Sequence, residues 1–271
     1  MFSTILYEFP HLQLHLLKKN ATKFYPLSLN PESGISLQGI EVYPQTSSEI
    51  VPVAIILHGY TSTFRRVAYL AIPLIKQGYA VILINLRGHN SSSGHKKDVS
   101  GMQQDLNYII QYIKSKQYFD HRHILLIGSS LGALIALTAG YNHPDVTHII
   151  ALAGISSPTD FFVGMTVFRK WRWQLLGKLG GLNMSEMIGK SQFSPAEQQY
   201  VQESRKKILL MHCKNDRLVG MNNFWRNITA FRIDHNGYRL FDRGGHTFFL
   251  VKKYVVQTMM EWLQNTFYKA E

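Results

Sequence analysis

A chain of 271 residues that is 45% apolar and 17% charged can bury a sizeable core, which excludes an intrinsically disordered protein. Lysine and arginine outnumber aspartate and glutamate by 29 to 17, a net charge of +12. The basic residues are nevertheless scattered in short groups (Lys18-Lys19, Arg65-Arg66, Lys96-Lys97, Arg205-Lys206-Lys207), without zinc-finger or RNA-recognition spacing, so specific nucleic-acid binding is not expected.

Met1 to Leu17 holds Glu8, Pro10, His11 and His15 and has no continuous apolar run behind a basic start. It is therefore not expected to be a signal peptide or a transmembrane segment, and the cytoplasm is the expected compartment. The sequons at Asn20-Ala21-Thr22 and Asn227-Ile228-Thr229 are read as accidental for the same reason. Segments from about Ile5 to Lys18 and from Ile35 to Tyr43 alternate imperfectly and read as antiparallel edge strands. His11 and His15 are then a strand-face coincidence and not a metal site.

Val53 to Leu57 is a continuous apolar run, hence a buried strand, followed by the loop His58-Gly59-Tyr60-Thr61-Ser62. A helix is predicted from Phe64 to Gln77 with Gly78 as its C-cap. Ala80 to Ile84 is the next strand, Gly101 to Lys116 the next amphipathic helix, and Ile124 to Ile127 a third strand. Gly128-Ser129-Ser130-Leu131-Gly132 then opens a helical stretch from Ala133 to Ala139, and His148 to Leu152 is a further strand. Apolar runs alternating with amphipathic stretches imply parallel strands joined by crossover helices.

From about Ile155 to Glu203 the pattern changes. No short apolar strand appears, and Phe161, Phe162, Phe168, Trp171 and Trp173 crowd together. This segment is expected to lie over the carboxyl edge of the sheet as an insertion whose aromatics form an acyl-binding lid. Lys170, Arg172 and Lys178 could snorkel there, which implies a weak lipid-surface contact. Alternation resumes with a strand at Ile208 to His212, a helix at Asn222 to Ala230, a strand at Tyr238 to Phe241 and a closing helix from Phe249 to Phe267.

The chemistry-bearing residues follow strands. Gly128 to Gly132 is a G-x-S-x-G pentapeptide between a strand and a helix, where a tight turn projects Ser130 from the sheet edge. Asp216 and His246 follow the strands at Ile208 and Tyr238, 86 residues after Ser130 and a further 30 on. A serine hydroxyl is a weak nucleophile at neutral pH, so His246 would remove its proton and Asp216 would fix the imidazole's tautomer. Asp242 is the rival partner, but four residues from His246 it is poorly placed to reach the far imidazole nitrogen. His58 and His89 are read as loop braces. His212 and Cys213 are neighbours on a strand that point to opposite faces, with Cys213 a core thiol. As the sole cysteine, it allows neither an internal disulfide nor a thiolate metal cluster. No metal or organic cofactor is implied.

His58-Gly59-Tyr60, the pentapeptide, Lys214-Asn215-Asp216-Arg217-Leu218-Val219 and Gly244-Gly245-His246 together resemble the α/β-hydrolase superfamily over essentially the whole chain. Asn85-Leu86-Arg87-Gly88-His89-Asn90-Ser91 is similar to its Asp-x-Arg-Gly-His-Gly-x-Ser segment, with Asn85 and Asn90 departing from the pattern. The resemblance implies a single α/β-hydrolase domain over residues 1–271, a mostly parallel twisted sheet flanked by helices, with a helical lid at about 155–203. It also implies an oxyanion hole from the backbone N–H groups of Tyr60 and Leu131.

The expected activity is that of a serine hydrolase, carboxylesterase or monoacylglycerol-lipase-like, that cleaves small-to-medium acyl esters through an acyl-enzyme. Its partner is a small-molecule ester such as a monoacylglycerol or aryl ester. A thioesterase or amidase with the same triad is the second expectation, and a non-catalytic ligand-binding module or a cofactor-free perhydrolase stands behind it. A peptidase of this fold is expected to carry a further large gating domain. Oligomeric state is not encoded legibly.

Overall fold

Runs such as Val53 to Leu57 hold no polar side chain because both of their faces are covered. The computed structural model describes residues 6–46, 48–163, 165–179, 181–197 and 207–266. Eight strands form one sheet: β1 (Ala21–Glu32), β2 (Ile35–Pro44), β3 (Val51–Leu57), β4 (Ala80–Ile84), β5 (Phe119–Ser129), β6 (Val146–Leu152), β7 (Lys207–Cys213) and β8 (Tyr238–Phe241). Their order is β1-β2-β4-β3-β5-β6-β7-β8. β1, β2 and β4 pair antiparallel, and every pair from β4-β3 to β7-β8 is parallel. The chain is an α/β-hydrolase fold.

Helices cover both faces. On one side lie α1 (Pro10–Asn20), α2 (Phe64–Val67), α3 (Ala71–Lys76) and the closing helix Lys252–Thr266, which contribute Leu17, Phe64, Leu74, Met259 and Trp262 to the core. On the other lie α4 (Val99–Lys114), α5 (Leu131–Ile135) and the helix Met221–Ala230, with Leu106, Ile110, Leu134 and Phe224. Val53, Ile55 and Leu57 of β3 face the second group, and Ala54 and Ile56 face the first. Two-sided burial removes the alternation a half-exposed strand would show. Between β6 and β7 come α6 (Pro158–Phe161), α7 (Val167–Lys178) and three short 3₁₀ turns, without a strand among the described residues. The helices after β7 are then α8 (Met221–Ala230) and α9 (Lys252–Thr266).

Several sequence expectations shift. Ile5 to Lys18 is not a strand. Residue 5 lies outside the described residues, Leu6–Glu8 is a 3₁₀ turn, and Pro10 takes the first position of α1, where its missing N–H costs nothing. Leu17, which is fully buried, fixes the helix face turned to the core. His11 and His15 therefore sit one turn apart on the exposed side of a helix, not on a strand. The true edge strand is β1, hidden in the sequence by Pro26, a residue that sheets tolerate only at their edges. The helix predicted over 64–77 is broken by a 3₁₀ turn at Ala68–Leu70 between α2 and α3. α9 begins at Lys252 instead of Phe249, because Phe248 and Leu250 adopt left-handed backbone angles. Of the expected insertion, Gly164, Gly180 and 198–203 lie outside the described residues, as do Arg205, Lys206 and Phe267. Among the described residues no helix is long and apolar enough to cross a membrane.

Candidate active site

The crevice opens where the chain leaves adjacent strands in opposite directions: β3 leads toward β4 and β5 toward β6. Such switch points gather ligands at the carboxyl ends of the strands. Ser130 sits there with φ 54° and ψ −111°, a strained conformation for a residue with a side chain. Its N–H donates to the Leu152 carbonyl at 2.8 Å, and its own carbonyl accepts from Leu134 at 2.9 Å, so β6 and α5 hold the turn from both sides. A Cβ at Gly128 would lie 2.2 Å from the Gly132 carbonyl oxygen, and one at Gly132 would lie 2.4 Å from that of Leu57. Backbone meets backbone at both places, so only glycine fits.

The turn delivers the Ser130 hydroxyl to His246, with Oγ 2.9 Å from Nε2. His246 Nδ1 lies 2.8 Å from Asp216 Oδ2. In the matching tautomer Nδ1–H donates to the carboxylate and Nε2 accepts from the hydroxyl. Asp216 follows β7 in a tight turn in which the N–H groups of Leu218 and Val219 donate to Oδ1 at 2.8 and 3.0 Å. Burial alone would raise this carboxyl. The hydrogen bond and charge of His246 and the Val219 amide outweigh it and hold Asp216 below the ordinary carboxylate value. The arrangement can take a proton from the hydroxyl and stabilise the imidazolium that results. Asn215, which the motif reading passed over, accepts from the Gly245 N–H at 2.9 Å and ties the aspartate turn to the histidine loop.

Asp242 and Cys213 lie elsewhere, and His212 stands with Nε2 3.9 Å from Asp216 Oδ2 without joining the relay. Asp242 is exposed and pairs with Lys214 at 2.7 Å. His212 donates to the Val219 carbonyl at 3.0 Å, and burial lowers its pKa. Cys213 packs on the opposite face, its thiol pushed up by burial to about 12.

The turn after β3 lies directly against Ser130. A Cβ at Gly59 would come within 3.1 Å of Ser130 Cβ. Tyr60 follows, and Leu131 is the first residue of α5, where an N–H lacks an intrahelical acceptor. Burial keeps the His58 imidazole neutral, its pKa pushed down to about 4. Its Nδ1–H donates to the Gly59 carbonyl at 2.7 Å, and Nε2 accepts from the Leu86 N–H at 3.0 Å. His89 donates from Nδ1 to the Arg87 carbonyl at 2.9 Å, so both histidines brace loops.

The two departures from the superfamily pattern have physical readings. Asn85 Oδ1 accepts from the Phe64 N–H at 3.0 Å while its Nδ2 donates to Ser91. Asn90 has φ 49°, in the left-handed region that asparagine tolerates best after glycine. Arg87 anchors the segment, bidentate to Asp105 at 2.6 and 3.0 Å and bound also to Asp98 and Glu32.

A cavity of about 430 Å³ contains Ser130 and His246 in its wall. The insert supplies part of that wall through Ile155, Phe161, Trp173, Leu182 and Met184. Phe162 packs edge-on against Phe161 at 5.3 Å, behind the lining. Phe168 and Trp171 correct the sequence expectation: they are 68% and 55% exposed and do not line the cavity. They lie about one turn apart, whereas Trp173 lies roughly 200° around the helix from Trp171, so one face cannot hold all three. The root of the insert is fixed by a buried network absent from any motif. Ser156 and Ser157 donate to Asp160 at 2.7 and 2.8 Å, Arg226 pairs with the same carboxylate at 2.9 Å, and Asn223 accepts from the Ser156 N–H. The Tyr60 hydroxyl accepts from the Leu182 N–H at 2.8 Å, which joins the insert to the turn after β3.

Comparison with known proteins gives the same architecture. The family model described as serine aminopeptidase, S33, matches residues 48–185. The acylamino-acid-releasing enzyme of Mus musculus is 25% identical over 206 residues, which cover 68% of this chain and 27% of that protein, so the match spans about a quarter of that relative. An esterase of Pyrococcus furiosus superposes with a TM-score of 0.64 at 20% identity, covering 90% of this chain and 93% of that one. The acylaminoacyl peptidase of Pyrococcus horikoshii superposes with a TM-score of 0.71 at 18% identity, covering 93% and 43%.

Proposed function

This chain belongs to the serine aminopeptidase (S33) family of α/β-hydrolase serine hydrolases, and from that membership we propose that it cleaves carboxylic esters of small-to-medium acyl chain. The observation that carries this reading is the Ser130–His246–Asp216 relay, at 2.9 and 2.8 Å, opening into a cavity walled by Phe161, Leu182 and Met184. Ser130 Oγ attacks the acyl carbon as its proton passes to His246 Nε2. The tetrahedral intermediate then collapses, the bond from acyl carbon to alcohol oxygen breaks, and His246 returns the proton to the departing alcohol. Water repeats the sequence on the acyl-enzyme, releasing the carboxylic acid and restoring the hydroxyl. The N–H groups of Tyr60 and Leu131 receive the oxyanion, each worth about 2–4 kcal/mol in the transition state.

In this reading residues 1–271 form one α/β-hydrolase domain and the segment at about 155–203 acts as a lid. The outward side of α7 carries Val167, Phe168 and Trp171, with Leu179 just past its end, all more than half exposed, beside Lys170, Arg172 and Lys178. An apolar stripe with basic flanks supports weak contact with an anionic lipid surface. The peptidase names among the relatives support amide cleavage as the second reading. An acyl-chain series of 4-nitrophenyl esters beside the matching anilides, with Ser130→Ala as control, separates the two. Turnover of esters that vanishes in the variant supports the first reading. Preferential anilide cleavage overturns it, and equal rates in both proteins remove catalysis altogether.

A further inference from the structure

The cavity at Ser130 has two chemically different ends. Phe161, Leu182 and Met184 belong to the core on the α4 face of the sheet, whereas Val67, Tyr69 and Phe248 belong to the core on the other face. The charges gather at the second end. Arg65, Arg66 and Lys252 line it, against the single carboxylate of Glu8. That carboxylate is already engaged: its two oxygens accept from Lys252 Nζ at 2.6 Å and from the Leu250 N–H at 2.9 Å. Lys252 and Glu8 are thereby neutralised as a pair whose side chains are only 14% and 10% exposed.

No carboxylate among the described residues lies within ion-pair distance of Arg65 or Arg66. Both belong to α2, a few residues beyond Tyr60, on the stretch that leads from β3 into the cavity wall. The Arg65 guanidinium rests 6.0 Å from the Phe64 ring centroid, a contact that leaves its charge in place, so two adjacent guanidiniums without a carboxylate concentrate positive potential at one end of a cleft whose other end is apolar. Guanidinium is also the side chain whose planar fork matches carboxylate and phosphate oxygens two at a time.

We propose that the preferred substrate carries an anionic group on its leaving alcohol, held by Arg65 and Arg66 while the acyl chain fills the apolar end. This rests on the ester-hydrolase reading above. The acyl side is assigned to the apolar end because that end lies beneath the insert. The alcohol then departs toward the arginines. Lys252 contributes little, since Glu8 satisfies it. Carboxylate and phosphate share the required chemistry, and the substrate set distinguishes them.

The test uses the full chain and two matched pairs: 4-nitrophenyl butyrate against its 3-carboxy-4-nitrophenyl counterpart, and 1-butyrylglycerol against 1-butyrylglycerol 3-phosphate. The expected result is a kcat/KM about tenfold or more higher for the anionic member of at least one pair. The pair with the larger ratio identifies the group. Arg65→Ala/Arg66→Ala should lower kcat/KM for that anionic ester about tenfold more than for its neutral partner, and Arg65→Lys/Arg66→Lys should retain part of the preference. Added salt should erode the preference in the wild type and not in the alanine variant. Neutral esters favoured in both pairs, or a ratio unmoved by the alanine variant, overturn the proposal while leaving ester hydrolysis standing. Absence of all turnover in the wild type defeats the ester reading first, and this proposal with it.

Discussion

Two walls of one cavity, the turn at Ser130 and the helix α7, are built in opposite ways. At the turn, Leu131, Gly132 and Ala133 are buried, backbone touches backbone at Gly128 and Gly132, and the serine is held at a φ no isolated chain would choose. In α7 no residue is buried, and Val167 is 84% exposed. A reacting oxygen needs placement to a fraction of an ångström, which dense backbone contact supplies. A wall that, in the proposed function, meets varied acyl chains gains from few fixed contacts. Reactivity should therefore be brittle to change at the turn, and stability should be nearly indifferent to change on the outer face of α7.

The largest effect that would test this contrast is at the nucleophile. Ser130→Ala should lower kcat for an aryl ester by up to about 10⁶ and abolish labelling by a phosphonate probe, with circular dichroism unchanged. A residual rate near wild type would remove the turn from the chemistry. Next comes Asp216→Asn, expected to cost about 10⁴ in kcat because the imidazole loses its tautomer. A loss below tenfold would mean that another acceptor orients His246.

Gly132→Ala tests the scaffold and not the chemistry. The added methyl meets the Leu57 carbonyl, so we expect unfolding at a lower temperature together with loss of activity. A normal melt would show that β3 and α5 separate easily.

Acid should loosen the sheet before α7. Burial pushes both His58 and His148 down from the ordinary 6.5 to about 4. Between those values the unfolded chain binds the extra protons, so stability is full above pH 6.5 and falls as the pH drops toward 4. Complete protonation is worth about 3 kcal/mol for each histidine. Denaturant melts at pH 7 and pH 4.5 measure this, and a flat profile contradicts it. The smallest effect belongs to α7. Phe168→Ser and Trp171→Ser should change stability by no more than about 0.5 kcal/mol. Sedimentation with phosphatidylglycerol vesicles should weaken in both. A large loss of stability would mean that the outer face is packed in solution.

Legibility in the sequence followed the range of the interaction. The pentapeptide could be read because a strand, a turn and a helix start lie within a dozen residues, and the contact that excludes a side chain at Gly128, with the Gly132 carbonyl, is local. Asp216 and His246 could be located because each follows an apolar run that ends at the same sheet edge. β1 could not, since Pro26 in its middle reads as a strand breaker, and only its pairing with β2 makes it a strand. The aromatics of the insert were visible as a cluster, but their direction was not. The phase of α7 depends on distant contacts, such as that between Phe161 and Trp173 at 5.2 Å. The Ser156–Asp160–Asn223 network was equally hidden, because Asn223 lies 67 residues from Ser156 and the set matches no motif.

The hydrogen bond from the Leu182 amide to the Tyr60 hydroxyl spans 122 positions and has a kinetic consequence. Tyr60 holds the insert with its side chain and, in the proposed mechanism, the oxyanion with its backbone. A bound acyl chain that keeps Leu182 from seating on the phenol disturbs the donor needed only in the transition state. Discrimination among acyl groups should then be read in kcat, with KM little changed. Tyr60→Phe should flatten that discrimination, letting poorly fitting and well-fitting chains turn over at more nearly equal rates.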